Sequence, residues 1–136
     1  MSATTVLAPY TGNLSRPVAE VEADLDAFAA LILKWNRAQN LVSRETIGDL
    51  WTRHIADSLQ LLPLLKEADR TILDLGSGGG FPAIPLAIAS GQARQFILVE
   101  PIAKKASFLR AASRELGLGL RVEARRSDDL SPGDLP

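Results

Sequence analysis

Two acidic residues and a run of glycines form the part of the sequence that could do chemistry. Asp74 lies in an apolar stretch, two residues before Gly76, and Gly78 and Gly80 follow at alternate positions. Glu100 ends a second apolar stretch, 20 residues after Gly80. A glycine turn between a strand and a helix brings backbone N–H groups and a helix N-terminus close to a ligand. The pattern therefore predicts a nucleotide-type binding turn.

The residues alone leave three interpretations of this turn. The segment from Gly78 to Ala83 satisfies the G-x-G-x-x-G/A spacing of dinucleotide folds. An acid such as Asp74 is unfavourable beside a pyrophosphate, but it can stabilise the sulfonium and ammonium groups of S-adenosylmethionine. Glu100 is placed to accept hydrogen bonds from ribose hydroxyls in either class. A purely structural turn, in which backbones pack closely, is the third interpretation. The acid in the strand favours S-adenosylmethionine.

The elements that must position the turn alternate between strands and helices. Residues 72–75 predict a buried strand, and residues 95–100 and 120–124 predict two further strands. Residues 83–90 and 102–116 predict the helices between them, with Pro82 in a first helical turn and Gly117 just past a helix end. Strands separated by helices of this length form a parallel sheet with right-handed crossovers. The fold class is therefore α/β.

The region before the first strand is predicted to be a loose tail followed by two helices. Residues 1–13 show no periodicity, whereas residues 14–39 and 50–62 have helical spacing, and Pro63 bends or ends the second helix. Trp35 and Trp51 lie on apolar helix faces, so core packing is favoured over stacking on bases. We predict two parts, residues 1–68 as an N-terminal tail and helical extension and residues 69–136 as a β-α-β-α-β unit.

Composition limits the remaining possibilities. The 136 residues are 46% hydrophobic, contain no cysteine and carry a net charge of −1. The lack of cysteine excludes disulfides and thiolate metal sites, and it agrees with a cytoplasmic location, which we expect. No apolar run approaches the roughly 18 residues that a membrane span needs, so no membrane association is expected. Nucleic-acid binding would require a local basic patch, because the overall charge gives no indication of it.

Four blocks of the sequence resemble the bacterial 16S rRNA (guanine-N7)-methyltransferase family, called RsmG or GidB. They are WNRAQNL at 35–41, RHIADS at 53–58, DLGSGGGFPAIPL at 74–86 and KKASFLR at 104–110, in the family's order and spacing. The glycine motif alone is generic, but the four blocks together are specific. The resemblance implies a class I S-adenosylmethionine-dependent methyltransferase fold, which is Rossmann-like, with an N-terminal helical extension. It also implies S-adenosylmethionine as methyl donor and guanine N7 of the small ribosomal subunit as acceptor.

The resemblance assigns roles to individual residues by position. Gly76 and Phe81 line the cofactor, together with the other turn glycines, and Glu100 holds the ribose. Ser127 and Asp128 follow the third strand, where they would meet the adenine. The contact could also belong to the adjacent Asp129 or be shared with it, and the position in the family motif favours Asp128.

The resemblance also suggests which residues meet the RNA. Arg53, Lys104 and Lys105 are candidates for RNA contact. Guanine N7 has a free lone pair and no proton to lose, so no catalytic side chain and no metal are predicted. His54 and Asp57, three residues apart on a helix, are expected to pair with each other.

The family's sheet has seven strands in the order 3-2-1-4-5-7-6, and this sequence supplies strands 1, 2 and 3. The resemblance therefore implies a chain truncated at its C-terminal end. The strand at 72–75 would form an exposed apolar edge, which is a hazard for association. We expect self-association or an exchange of elements through that edge. The alternative function is a catalytically inactive, cofactor-binding half-domain.

Overall fold

A computed structural model describes residues 1–136 and contains a three-stranded parallel sheet. The strands are β1 (Thr71–Leu75), β2 (Gln95–Val99) and β3 (Arg121–Glu123), in the spatial order β1-β2-β3. Leu75 lies opposite Val99, which in turn lies opposite Glu123, so the three strands end at the same edge of the sheet. This order confirms the predicted β-α-β-α-β unit.

Two α-helices connect the strands of the sheet, and the other α-helices precede the sheet in the chain. The α-helices are α1 (Ala3–Leu7), α2 (Val18–Asn36), α3 (Asp57–Leu59), α4 (Ala83–Ser90) and α5 (Ala103–Leu116). A π-helix spans Trp51–Ala56, and short 3-10 helices span Ala8–Asn13, Ile47–Asp49, Leu62–Leu64, Gly91–Ala93, Ser127–Asp129 and Pro132–Asp134. No helix is both long and apolar enough to cross a membrane.

Residues 3–13 are helical, so the predicted loose tail is wrong. The Ser2 side chain accepts a hydrogen bond from the Thr5 N–H and caps α1. Ala3, Val6 and Leu7 are buried, and this spacing forms one apolar face. A helix of five residues is too short to produce a recognisable period, so its stability comes from packing on the rest of the molecule.

The predicted helix at 50–62 is present but irregular. It passes from the π-helix into α3 and then into a 3-10 helix that contains Pro63. Ile55 and Leu59 are fully buried, so the apolar spacing that predicted the helix does mark its core face. Apolar spacing cannot distinguish α from π hydrogen bonding, because both place one side chain per turn against the core.

A single hydrophobic cluster of 26 buried residues joins the N-terminal helices to the helices of the sheet. All residues of α4 are buried, as expected of an apolar crossover helix. Trp35 and Trp51 are partly buried against the cluster, which confirms their predicted packing role. The division of the chain between residues 68 and 69 stays a prediction.

Strand β1 is less buried than its sequence predicts. Its residues alternate in exposure, and Leu73 and Leu75 are 40% and 55% exposed. β1 pairs only with β2, and these two leucines are uncovered, although Ile97 and Val99, their partners on β2, are fully buried. The expected exposed apolar edge at residues 72–75 is therefore confirmed. The buried strand that the apolar pattern alone predicts is wrong, because an apolar side chain on either face of a strand looks the same in the sequence.

Candidate functional site

The glycine turn follows β1 and is locked to the end of β2. Gly76, Gly78 and Gly80 have φ angles of 71°, 53° and 91°, a backbone region that side chains disfavour. The N–H groups of Gly76 and Ser77 both donate to the Val99 carbonyl, at 2.8 and 3.2 Å. The alternate glycines are thus required by the backbone path as well as by any ligand.

Gly79 and Gly80 are packed too tightly for a side chain. A Cβ at Gly79 would lie 2.8 Å from the Leu41 carbonyl oxygen, and one at Gly80 would lie 2.5 Å from Ile84 Cδ1. Leu41 belongs to the loop after α2, so the helical extension contacts the turn directly. The sequence carries no local sign of this contact, because the two segments are far apart in the chain.

The Glu100 carboxylate connects the turn to the beginning of α5. Its Oε1 accepts a hydrogen bond from the Gly78 N–H and its Oε2 accepts one from the Ile102 N–H, both at 2.8 Å. The residue is only 4% exposed. Sequence reasoning assigned Glu100 to ribose hydroxyls and missed this backbone role. Each carboxylate oxygen keeps a second acceptor position.

Asp74 has a buried carboxylate oxygen that no group in the protein satisfies. Its Oδ2 has no hydrogen-bond partner, whereas the Ser77 hydroxyl donates to the Asp74 main-chain carbonyl at 3.2 Å. Burial raises the pKa of the Asp74 carboxyl group, and the charge of Glu100 raises it further, while the Ser77 side chain opposes the shift. A buried acceptor without a partner, next to a turn of bare backbone, fits a ligand that carries a cationic donor.

The predicted adenine residues lie beside the glycine turn. Ser127 and Asp128 line an open cleft of about 680 Å³ together with Gly76, Val99 and Pro101. Both residues are exposed at the beginning of the 3-10 helix that follows β3. The cleft therefore joins the first glycine to the end of the third strand. A surface ion pair also engages the Asp128 carboxylate, with Arg126 Nε at 3.1 Å from Oδ1.

Phe81 lies on a different cleft from Ser127 and Asp128. Its ring centroid is 5.4 Å from that of Phe28 and 5.0 Å from that of His54. Phe81 and Arg53 line a cleft of about 360 Å³, so two residues predicted for different ligands are brought together. The aromatic contacts also give Phe81 a packing role between α2 and the π-helix.

His54 hydrogen-bonds with Thr46 and does not form the predicted pair with Asp57. Its Nε2 lies 2.8 Å from Thr46 Oγ1, and the nearest charges are Asp57 and Arg53. His54 lies in the π-helical turn, where residues three apart do not line up as they do in an α-helix. Burial lowers the pKa of His54, Asp57 raises it and Arg53 lowers it again. The imidazole is therefore neutral at pH 7.

The lysines predicted for RNA contact begin α5 on a third cleft. Lys104 is exposed and Lys105 is half-buried. Lys104 lines a cleft of about 260 Å³ with Trp35 and Gln39, and the Gln39 Nε2 donates to the Lys104 carbonyl at 3.1 Å. Lys104 and Arg53 thus lie in separate clefts.

The sheet order and the glycine turn define the class of protein, a Rossmann-like α/β protein with a candidate site at the carboxyl ends of its strands. A family model described as rRNA small subunit methyltransferase G (GidB) matches residues 21–132. The chain therefore belongs to this family, which confirms the resemblance seen in the four sequence blocks.

Curated relatives agree with this membership. A ribosomal RNA small subunit methyltransferase G of Cereibacter sphaeroides is 47% identical over 116 residues, covering 83% of this chain and 56% of the relative. One of Ruegeria pomeroyi is 44% identical over 127 residues, covering 91% and 60%. One of Rhodopseudomonas palustris is 54% identical over 99 residues, covering 72% and 42%. The chain spans about half the length of the curated relatives it matches.

Proposed function

We propose that the chain binds S-adenosylmethionine at the glycine turn and serves the methylation of guanine N7 in 16S rRNA. The proposal rests mainly on the buried Asp74 Oδ2, which has no hydrogen-bond partner in the protein. This atom lies beside a turn whose glycines have positive φ angles. Membership in the methyltransferase G family supports the same reaction. A sulfonium or ammonium group near Asp74 would supply the positive charge that this carboxylate lacks.

Each part of the methyl donor has a group suited to it. Asp74 would hold the cationic amino acid end, and the open backbone at Gly76 and Gly78 leaves space for it. Glu100 would accept ribose hydroxyls with its remaining lone pairs while it holds the Gly78 N–H. Ser127 and Asp128 would meet the adenine across the cleft that they share with Gly76. Phe81 would line the site from the side of α2.

In this methyl transfer the side chains would position the methyl donor and the guanine, and no proton would need to be transferred. When bound, S-adenosylmethionine supplies an electrophilic methyl group. Guanine N7 carries a free lone pair, so the chain needs to align two groups and to stabilise a positive charge. Arg53, Lys104 and Lys105 would contact the RNA phosphates. The substrate would be the small ribosomal subunit, and the location would be the cytoplasm.

Calorimetry and a methylation assay on the same chain test this function. We expect S-adenosylmethionine to bind, and methyl groups from labelled donor to enter small ribosomal subunits at guanine N7. Asp74→Ala should weaken donor binding by about 1–3 kcal/mol, because the charged partner loses its acceptor. Glu67→Ala, which removes an exposed acid outside the candidate site, is the matched control. Binding of NAD without binding of S-adenosylmethionine would reject the proposal.

The exposed face of β1 favours a second candidate, a cofactor-binding module that self-associates without turnover. Leu73 and Leu75 are exposed on a strand with one hydrogen-bonded neighbour. Such a strand can pair with or pack against another copy. Donor binding without methylation, together with a mass above that of the monomer, would favour this module. Donor binding with methylation would favour the enzyme.

A further inference from the structure

The net charge of −1 conceals a strong separation of charge along the chain. No acid occurs between Asp26 and Glu45, or between Glu100 and Glu115. Seven of the 15 lysines and arginines lie in these two segments, namely Lys34, Arg37, Arg44, Lys104, Lys105, Arg110 and Arg114. All but Lys105 are exposed.

The two acid-free segments meet in space. The Trp35 and Phe108 rings join α2 to α5, with centroids 5.5 Å apart. The Gln39 side chain donates to the Lys104 carbonyl at 3.1 Å and ties the end of the first segment to the beginning of α5. The end of α2 and the beginning of α5 therefore share one region of the surface, which carries Lys34, Arg37 and Lys104 and forms a local basic patch of the kind that nucleic-acid binding requires.

A cleft in this region exposes an aromatic ring. Trp35 lines the cleft of about 260 Å³ with Ala38, Gln39, Lys104 and Ser107. The ring of Phe108 meets the indole edge-to-face at 66°, and Trp35 is half-buried, so part of the indole packs against the core and part lines the cleft. The lining holds a cation, an amide and a hydroxyl beside the indole, and no acid.

We propose that this cleft, the Trp35 groove, docks an unpaired RNA segment outside the methyl-donor site. One base stacks on the indole, and Lys104 contacts a flanking phosphate. Charge complementarity selects the occupant, because a basic region without acids attracts a polyanion and the accessible part of a half-buried indole distinguishes bases from other anions. The proposal rests on the proposed function for its RNA substrate, and it adds a second point of attachment to that substrate.

Tryptophan fluorescence can test the groove directly. The sequence has two tryptophans, so Trp51→Phe leaves Trp35 as the only reporter. We expect a short oligouridylate to quench this fluorescence, and an abasic oligomer of the same length to quench it far less. Quenching by the abasic oligomer to the same extent, or no quenching at saturating oligouridylate, would overturn the proposal. Equal binding of an oligoglutamate peptide would also overturn it, because the groove would then recognise anions of any kind.

Charge variants supply an independent measurement. Lys104→Gln should weaken oligouridylate binding several-fold and reduce the slope of log K against log salt by about 0.7. Lys66→Gln, which removes an exposed lysine outside the two acid-free segments, should leave both quantities unchanged. Equal behaviour of the two variants would contradict the assignment of Lys104.

Calorimetry with S-adenosylmethionine on the same variants separates the two proposals. Donor binding without fluorescence quenching would reject the groove and keep the proposed function. Quenching without donor binding would reject the proposed function and keep the groove.

Discussion

Asp74 and Glu100 both place a carboxyl group beside the glycine turn, but their hydrogen bonding differs. Both oxygens of Glu100 accept backbone N–H groups, whereas Asp74 Oδ2 has no partner. A buried acid that is satisfied supports the structure, and one that is unsatisfied costs stability until a ligand arrives. Replacing the two acids by amides should therefore change the stability of the free protein in opposite directions.

Asp74→Asn should stabilise the free protein and weaken donor binding. Burial raises the pKa of Asp74 above its ordinary 3.8, so the native state holds this proton more tightly than the unfolded state. Stability from this group is present below pH 3.8 and is lost as the pH rises through the raised pKa. Urea denaturation over this pH range should show that loss in the parent chain and not in the variant. An unchanged donor affinity in calorimetry would contradict the role of Asp74 in binding.

Glu100→Gln should destabilise the protein before any ligand is added. The amide keeps one acceptor oxygen, but its NH₂ group must then face the N–H of Gly78 or Ile102. Leaving one of these buried donors unsatisfied costs about 1–3 kcal/mol, measured by urea denaturation. Asp129→Asn, at an exposed acid, is the control and should have no effect. Equal stability of the two variants would mean that Glu100 does not hold the turn.

At the scale of elements, the glycine turn depends on the helices that precede the sheet. Gly79→Ala would push a methyl group against the Leu41 carbonyl, which is main chain and cannot rotate away. We expect a loss of about 1–3 kcal/mol in stability, together with weaker donor binding, because the turn must shift. Gly48→Ala is the matched control, since a Cβ there meets nothing within 4 Å. Equal denaturation midpoints for the two variants would argue against this contact.

The π-helix should make stability sensitive to mild acid. Burial lowers the pKa of His54 below its ordinary 6.5, so the native state favours the neutral ring. The contribution of the neutral His54 ring to the free energy of unfolding is therefore fully present above pH 6.5, and it is lost as the pH falls through the lowered pKa. His54→Gln should remove this dependence while it keeps a partner for Thr46. Thermal denaturation at a series of pH values tests the difference, and parallel curves for the two proteins would contradict it.

Elements with a strong local pattern could be predicted from the sequence, and elements stabilised by distant contacts could not. The apolar run of α4, the strand β2 and Gly117 after α5 each carry their signal within a few residues. Helix α1 is too short for a period, and its stability depends on a core assembled from later segments. The contact of Leu41 with Gly79 could not be predicted either, because the two residues are far apart in the sequence.

The candidate site was predictable in its residues but not in its arrangement. The motif identified Asp74, Glu100 and the glycines, and the third strand brought Ser127 to the same cleft as Gly76. The backbone partners of Glu100 are 22 and two residues away, and only one of them is near in sequence. Phe81 faces the π-helix, and this placement could not be predicted because it depends on how the π-helix packs against α2.

For the whole molecule, the uncovered face of β1 is the surface most prone to association. Leu75→Lys places a charge on this face and should lower the concentration-dependent mass measured by light scattering. Leu64→Lys, at a residue 70% exposed outside the strands, is the control and should leave the mass unchanged. A parent chain that stays a folded monomer at high concentration would contradict self-association.

The separation of charge along α2 makes one end of this helix acidic and the other end basic, although the net charge of the chain is near zero. Glu20, Glu22, Asp24 and Asp26 lie in the first half of this helix, and Lys34 and Arg37 lie in its last turns. The 19 residues span about 28 Å, which exceeds the distance over which physiological salt screens charge. In the field of a polyanion such a molecule turns its basic end forward before contact. Its rate of association with RNA should therefore fall with salt as steeply as that of a basic protein.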